Sequence, residues 1–169
     1  MLKKSIETAL NKQVNAELWS SYLYLAMDAH FRSVNLNGFA NWMRLQAQEE
    51  LQHAMKIYDY IDERDGKISL TAIAAPKGTW KTPLDVFQDT LKHERKVTSL
   101  INNLTALAEK EKDYATKNFL EWFVDEQVEE ESNASTIVEQ IKLAGKSSGA
   151  LFMLDRELGQ RVASPAPAA

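Results

Sequence analysis

The chain has 169 residues, of which 44% are hydrophobic and 26% charged, and it contains no cysteine. This length and composition fit one compact domain with a sizeable core, and the missing cysteines exclude disulfides, thiolate metal sites and iron–sulfur clusters. The net charge of −4 argues against nucleic acid as the main partner. No leader-like apolar run follows Met1 and no stretch reaches membrane length, so a cytoplasmic protein without membrane contact is expected.

Helical periodicity predicts an all-α fold that begins with a long helical hairpin. Its two helices are expected over about 5–32 and 39–64, with a turn between them and Asp65-Gly66 after the second. A sixteen-residue connector without helical pattern, 67–82, then follows. Fully extended it spans on the order of 50 Å, enough to return the chain to the other end of a bundle. The second and third helices would then be parallel, as in ferritin-like bundles.

A second hairpin is predicted after the connector. Thr82 followed by Pro83 is a strong start signal for a third helix that ends near residue 110, and Asp113 is expected to cap a fourth helix that ends before Gly145. Ser147 or the residue after it opens a short fifth helix. The predicted organisation is a four-helix bundle, a C-terminal helix and a disordered tail, over residues 1–145, 146–162 and 163–169.

Two segments carry the same spacing of metal-binding side chains, and the two copies are 77 residues apart. In each copy a Glu is followed 33 residues later by a second polar ligand, and three residues further on by a third. The side chains are Glu17, Glu50 and His53 in the first half and Glu94, Gln127 and Glu130 in the second. A duplicated helical hairpin of this kind can form a two-metal site inside a four-helix bundle.

Position and direction both support this interpretation. Each set lies about 17 residues, or roughly 25 Å, from its own hairpin turn, which places both near the middle of the bundle. A helical wheel puts the ligands on apolar arcs without an adjacent Lys or Arg. Four buried carboxylates without compensation would cost more than a typical folding free energy of roughly 5–15 kcal/mol. They must therefore be protonated or neutralised by cations, and the mirrored spacing favours cations.

The donor types narrow the choice of metal. Carboxylates with one imidazole and no thiolate suit iron or manganese better than structural zinc. Tyr24 faces the core two turns from Glu17, where its phenol could hydrogen-bond a ligand or supply an electron; an ordinary core tyrosine is an equal alternative. Three further carboxylates flank the ligands and could hold another ion: Glu49, Glu126 and Glu129. For Glu49 and Glu129 taken alone, a position on a solvated helix face is the default interpretation. His30 and His93 are predicted to lie on the surface.

These residues closely resemble the non-haem bacterial ferritins. The resemblance rests on Glu-Leu-Trp-Ser-Ser-Tyr-Leu-Tyr over 17–24, Glu-Glu-Leu-Gln-His over 49–53, Glu94, and Glu-Gln-Val-Glu-Glu over 126–130, and it covers essentially the whole chain. It implies that Glu17, Glu50 and His53 hold a first iron, with Glu50 bridging. Glu94 and Glu130 would hold the second iron, with Gln127 lining the site.

The resemblance also implies a third iron site and a particular assembly. Glu49, Glu126, Glu129 and Glu130 look like the third site of the family, and Tyr24 looks like its site tyrosine. The family implies a shell of 24 subunits, with the fifth helices meeting around the four-fold axes and ferric mineral inside. Gln52 and Glu130 stand where a haem-binding bacterioferritin is expected to carry Met and His, so no haem is expected.

Two functions remain open from the sequence. The leading hypothesis is an iron-storage ferritin that oxidises Fe(II) to Fe(III) at a di-iron ferroxidase centre with O₂ or H₂O₂. The alternative is a non-storage di-metal oxidase or a purely structural metallobundle. Particle size separates the two, because only a storage shell forms a very large hollow assembly.

Overall fold

The computed structural model describes residues 2–163, and within that range the regular secondary structure consists of five α-helices. They are α1 (Lys4–Ser33), α2 (Asn37–Glu63), α3 (Pro83–Lys110), α4 (Tyr114–Ala144) and α5 (Ser148–Leu158). The predicted all-α bundle with a short fifth helix is confirmed. Of the predicted disordered tail, only residue 163 falls within the described residues.

The predicted helix starts are built as the sequence indicates. Thr82 forms a capping box, because its hydroxyl accepts from the Asp85 backbone N–H at 3.1 Å while the Asp85 carboxylate accepts from the Thr82 N–H at 3.0 Å. The Asp113 carboxylate accepts from the backbone N–H of Thr116 at 3.1 Å and caps α4. Pairing of these free N–H groups fixes where α3 and α4 begin.

The connector between α2 and α3 runs along the outside of α1. Near its start, the Asn11 amide donates to the carbonyl of Lys67 at 2.9 Å; near its end, the Trp80 ring lies 5.3 Å from the ring of His30. The chain thus travels almost the full length of α1 before α3 begins. This crossover makes α2 and α3 parallel, as predicted.

The core is divided into two apolar clusters by a polar layer at mid-height. One cluster is centred on Phe31, Phe39 and Phe87, and the other on Ile6 and Leu120. Between the clusters, each of the four long helices turns polar side chains inward over about two turns. None of the helices within residues 2–163 is both long and apolar enough to cross a membrane.

The short α5 docks against the start of α2. The Asp155 carboxylate accepts from the backbone N–H groups of Gly38 at 2.8 Å and of Phe39 at 3.0 Å, so it caps α2 from another element. A Cβ at position 38 would lie 1.5 Å from the Asp155 carbonyl oxygen, and only glycine permits this approach. Leu154 and Leu158, on the inner face of α5, are buried against the bundle. The C-terminal segment is thereby held close to the bundle.

Candidate metal centre

The polar layer contains all six predicted ligands of the duplicated pattern. Each is buried, with between 1% and 6% of its surface exposed. They are Glu17, Glu50, His53, Glu94, Gln127 and Glu130. The four helices bring them to one height because each set is equally far from its own turn. Within the described residues, the structure therefore gathers the two halves of the sequence pattern in one place.

The first half forms a tight cluster. Glu17, Glu50 and His53 each offer one ligand atom, and these atoms lie within 4.8 Å of one another. The Oε1 atom of Glu17 accepts from the Gln13 amide at 2.7 Å, whereas its Oε2 atom is buried and has no hydrogen-bond partner among the described residues. An unpaired buried carboxylate oxygen is costly. It is well placed to bind a cation.

The second half is arranged differently. His53 also lies within 4.8 Å of ligand atoms of Glu126 and Glu130, so its imidazole belongs to two groups. Glu94 belongs to neither group. Its carboxylate accepts hydrogen bonds from the hydroxyl of Tyr24 and from the Gln127 amide, the latter at 3.3 Å. The phenol of Tyr24 thus hydrogen-bonds one of the predicted ligands, which is the first of the roles considered for it from the sequence.

Burial favours the protonated form of these carboxyl groups in the absence of cations. It raises the pKa of Glu17 to about 8, and the neighbouring Glu50 carboxylate adds to the shift. Burial likewise raises the pKa of Glu130 to about 8 and that of Glu94 to about 7, and it holds the pKa of Glu50 well above its ordinary range. Four acids that resist ionisation at one point form a site at which a divalent cation could replace protons.

The three flanking carboxylates do not share one environment. Glu126 is half-buried, and burial raises its pKa. Glu49 is largely covered, and its carboxylate accepts from the guanidinium of Arg161 at 2.5 Å. Glu129 is exposed. Of the predicted third site, only Glu126 and Glu130 are brought within ligand distance of a common partner.

Two buried amides of the site are absent from the sequence prediction. The Gln13 amide donates to Glu17, and the Gln46 amide donates to Glu130 at 2.7 Å and to Glu50 at 3.3 Å. Each stands four residues before the Glu of its own helix, so both face the same side of that helix. This repeated i, i+4 spacing is the signal that could have found them.

The surface position predicted for His93 is wrong. Its ring is buried between α1 and α3, where Nε2 lies 2.8 Å from the hydroxyl of Ser20 and the ring centre lies 5.1 Å from that of Trp19. Burial lowers the pKa of His93 to about 4, so the side chain is neutral near pH 7. His30, the second histidine predicted to lie on the surface, is half-exposed.

Comparison with known proteins agrees with this geometry. The family model described as a ferritin-like domain matches residues 7–144. The bacterial non-heme ferritin of Bacteroides fragilis is 45% identical over 161 residues, which cover 95% of this chain and all of that protein. The protein of the same name from Staphylococcus aureus is 42% identical and is covered to 97%.

Solved structures agree as well. An open-pore ferritin from the archaeon Archaeoglobus fulgidus superposes with a TM-score of 0.95 at 48% identity, and the match covers 96% of this chain and all of the other. A closed form of that ferritin, engineered by mutagenesis, gives a TM-score of 0.96 at 48% identity over 97% of this chain and all of the other. The chain belongs to the ferritin family, whose members store iron. The resemblance stated from its motifs is confirmed.

Proposed function

We propose that the protein is a ferroxidase and iron-storage ferritin, with Fe(II) as the substrate of the buried polar layer. The observation that carries this proposal is the convergence of four buried carboxyl groups and one imidazole, with one oxygen of Glu17 unpaired. Carboxylate and imidazole donors without thiolate suit iron. The residues present therefore fit the ion that the family handles.

Each half of the layer holds one Fe(II) in this proposal. Glu17, Glu50 and His53 hold the first ion, and Glu50 bridges to the second, which Glu94 and Glu130 hold. Gln127 lines the second position, and its amide hydrogen bond to Glu94 supports the orientation of that carboxylate. Tyr24 supports the same carboxylate from the opposite helix pair.

The oxidation balances with two electrons. Two Fe(II) ions give one electron each to O₂ or H₂O₂; O₂ with two protons yields H₂O₂, and H₂O₂ with two protons yields two water molecules. The protein orients the ions and compensates their charge. Protons that leave the four acids when Fe(II) binds are released to solvent, so loading becomes easier as the pH rises.

Storage requires an assembly, and we propose the hollow shell of 24 subunits that the resemblance implies. On α5, Phe152 and Met153 are 62% and 73% exposed. Apolar side chains of this size on a short helix fit contact with other copies of the chain. The third iron site, formed by Glu49, Glu126, Glu129 and Glu130, and the cytoplasmic location remain predictions.

Site-directed variants test the ferroxidase proposal. Glu17→Ala and Glu50→Ala are expected to slow Fe(II) oxidation at least about 10-fold, because each removes a ligand from the buried cluster. The rate is followed by colorimetric chelation of the remaining Fe(II) after air is admitted to anaerobically loaded protein. Glu121→Ala, which removes an exposed carboxylate of α4, is the control.

Wild-type rates in both ligand variants would contradict the site assignment. Size-exclusion chromatography with light scattering tests storage separately. A particle no larger than a dimer that retains rapid Fe(II) oxidation would favour the non-storage oxidase instead.

A further inference from the structure

Arg161 lies on the C-terminal segment after α5, yet its guanidinium reaches the edge of the metal centre. Nη1 donates to the Gln46 amide oxygen at 3.0 Å, and Nη2 donates to the Glu49 carboxylate at 2.5 Å. The guanidinium also lies 4.6 Å from the centre of the Trp42 ring. Nη1 also donates to the Trp42 carbonyl at 3.3 Å, so three residues of α2 hold a side chain that comes from outside the four long helices.

The backbone around Arg161 is fixed as well. The Asn41 amide of α2 donates to the carbonyl of Arg161 at 3.1 Å, and the buried Leu158 anchors the preceding turn. The Arg161 side chain is only 20% exposed. The segment is therefore docked by contacts of its own, and the guanidinium is presented from a defined position.

The contact with Gln46 has a chemical consequence. A side-chain amide has one oxygen, which accepts, and one nitrogen, which donates, and the two can exchange places by a flip. A guanidinium only donates, so Arg161 requires the amide oxygen to face it. The nitrogen of the fully buried Gln46 must then point at the carboxylates of Glu50 and Glu130, which it meets at 3.3 and 2.7 Å.

We propose that Arg161 is a positioning residue of the metal centre, which acts through Gln46 on the carboxylate of Glu130. Docking of the C-terminal segment thereby supports the second cation position. Without the guanidinium, the amide can turn its oxygen toward Glu50 and Glu130, where it repels the ionised carboxylates that bind a cation and leaves Glu130 without its donor. The proposal rests on the assignment of Glu130 to the second cation in the proposed function.

Cobalt(II) titration tests the proposal without turnover, since the ion is not oxidised by air at this type of site and its visible absorption reports each binding step. Arg161→Met removes the guanidinium and keeps a long apolar stem over Trp42. Second-ion affinity is expected to fall about 10-fold, the lower end of the roughly 10–100-fold effect of groups that orient metal ligands. The first-ion affinity should change much less, because the shorter Gln46 bond is the one to Glu130.

Two further variants separate this role from general stabilisation. Arg156→Met removes the same charge from an exposed position of α5 and should leave both affinities unchanged. Gln46→Met should reproduce the loss, and adding Arg161→Met to it should cost nothing more, because Arg161 acts through an amide that is no longer there. Thermal melting and particle size verify that each variant is folded and assembled.

The proposal would be overturned if Arg161→Met had wild-type affinity for the second ion, or if it bound both ions more weakly by the same factor. Full additivity of the Gln46 and Arg161 effects would do the same. Failure of the proposed function gives a different result. In that case the single variant Glu50→Ala would bind cobalt as wild type does.

Discussion

Replacing Glu17 by Gln should make the stability of the cation-free protein fall less steeply as the pH rises. The folded chain retains the Glu17 proton up to a pKa of about 8, whereas the unfolded chain loses it near the ordinary value of 4.5. Between these values the folded state binds more protons than the unfolded state. Stability therefore falls as the pH rises, and the loss is complete above about pH 8.

The size of the effect follows from the proton linkage. One group in this window costs about 1.4 kcal/mol per pH unit, so Glu17 alone should cost roughly 3 kcal/mol between pH 5.5 and 7.5. At roughly 2–4 °C per kcal/mol for a chain of this length, the melting temperature should fall by roughly 6–12 °C. Glu17→Gln removes this contribution, and the Gln13 amide can still donate to the new amide oxygen.

Calorimetric melting of chelator-treated protein at pH 5.5 and 7.5, at one protein concentration, measures the effect. The fall in melting temperature should be smaller in Glu17→Gln than in wild type by roughly 6–12 °C. Glu121→Gln, at an exposed position of α4, should behave as wild type. Parallel falls in wild type and Glu17→Gln would refute the argument that a buried, proton-retaining Glu17 limits stability at neutral pH.

Further outcomes follow from the same structure. Truncation after Gly145 should alter particle size in light scattering without melting the bundle, because α5 is a short added element; unchanged size and stability would contradict this. Glu130→Ala should mainly lower occupancy of the second ion, and in crystals soaked at graded Fe(II) doses the Glu17 position should fill first, since it has an imidazole. Filling of the Glu94/Glu130 position at the lowest Fe(II) dose would contradict this order. His93→Gln should lose less stability than wild type on acidification. The buried neutral ring of His93, with its pKa of about 4, costs wild type roughly 2 kcal/mol of stability between pH 6 and 4.5. Equal loss of stability in acid in the two proteins would show that burial of the His93 ring does not limit stability there.

The fold is predictable from the sequence because its signals are local. Thr82 and Asp113 specify helix starts through hydrogen bonds that span only a few residues, and Pro83 favours the start of α3 through its fixed φ. The helical period then specifies the buried faces, and the six ligands interrupt those faces at equal distances from the two turns. Equal distance from a hairpin turn becomes equal height in the bundle, so residue spacing alone is enough to locate the polar layer.

The residues that escaped prediction depend on contacts between distant elements. His93 is buried because α1 packs against the face of α3 that carries it, and periodicity within α3 does not specify that neighbour. Arg161 meets Glu49 and Gln46 across 112 and 115 positions of sequence. Its role depends on how α5 docks, which Gly38 and Asp155 determine. No local pattern in the C-terminal segment marks that arginine as part of a site.

In the proposed function, the polar layer links the stability of the protein to the cations that it binds. The apolar clusters above and below it are separate, so the layer interrupts the apolar core. Glu17, Glu94 and Glu130 each retain a proton to pH 7 or above, and each adds to the cost of the empty site as the pH rises. Cations bound as proposed would displace those protons and remove this cost, because the unfolded chain does not gather the four carboxylates in one place. With the layer as the cation site proposed above, the chain can tolerate a divided core, since the two clusters hold the helices in register while the site is empty.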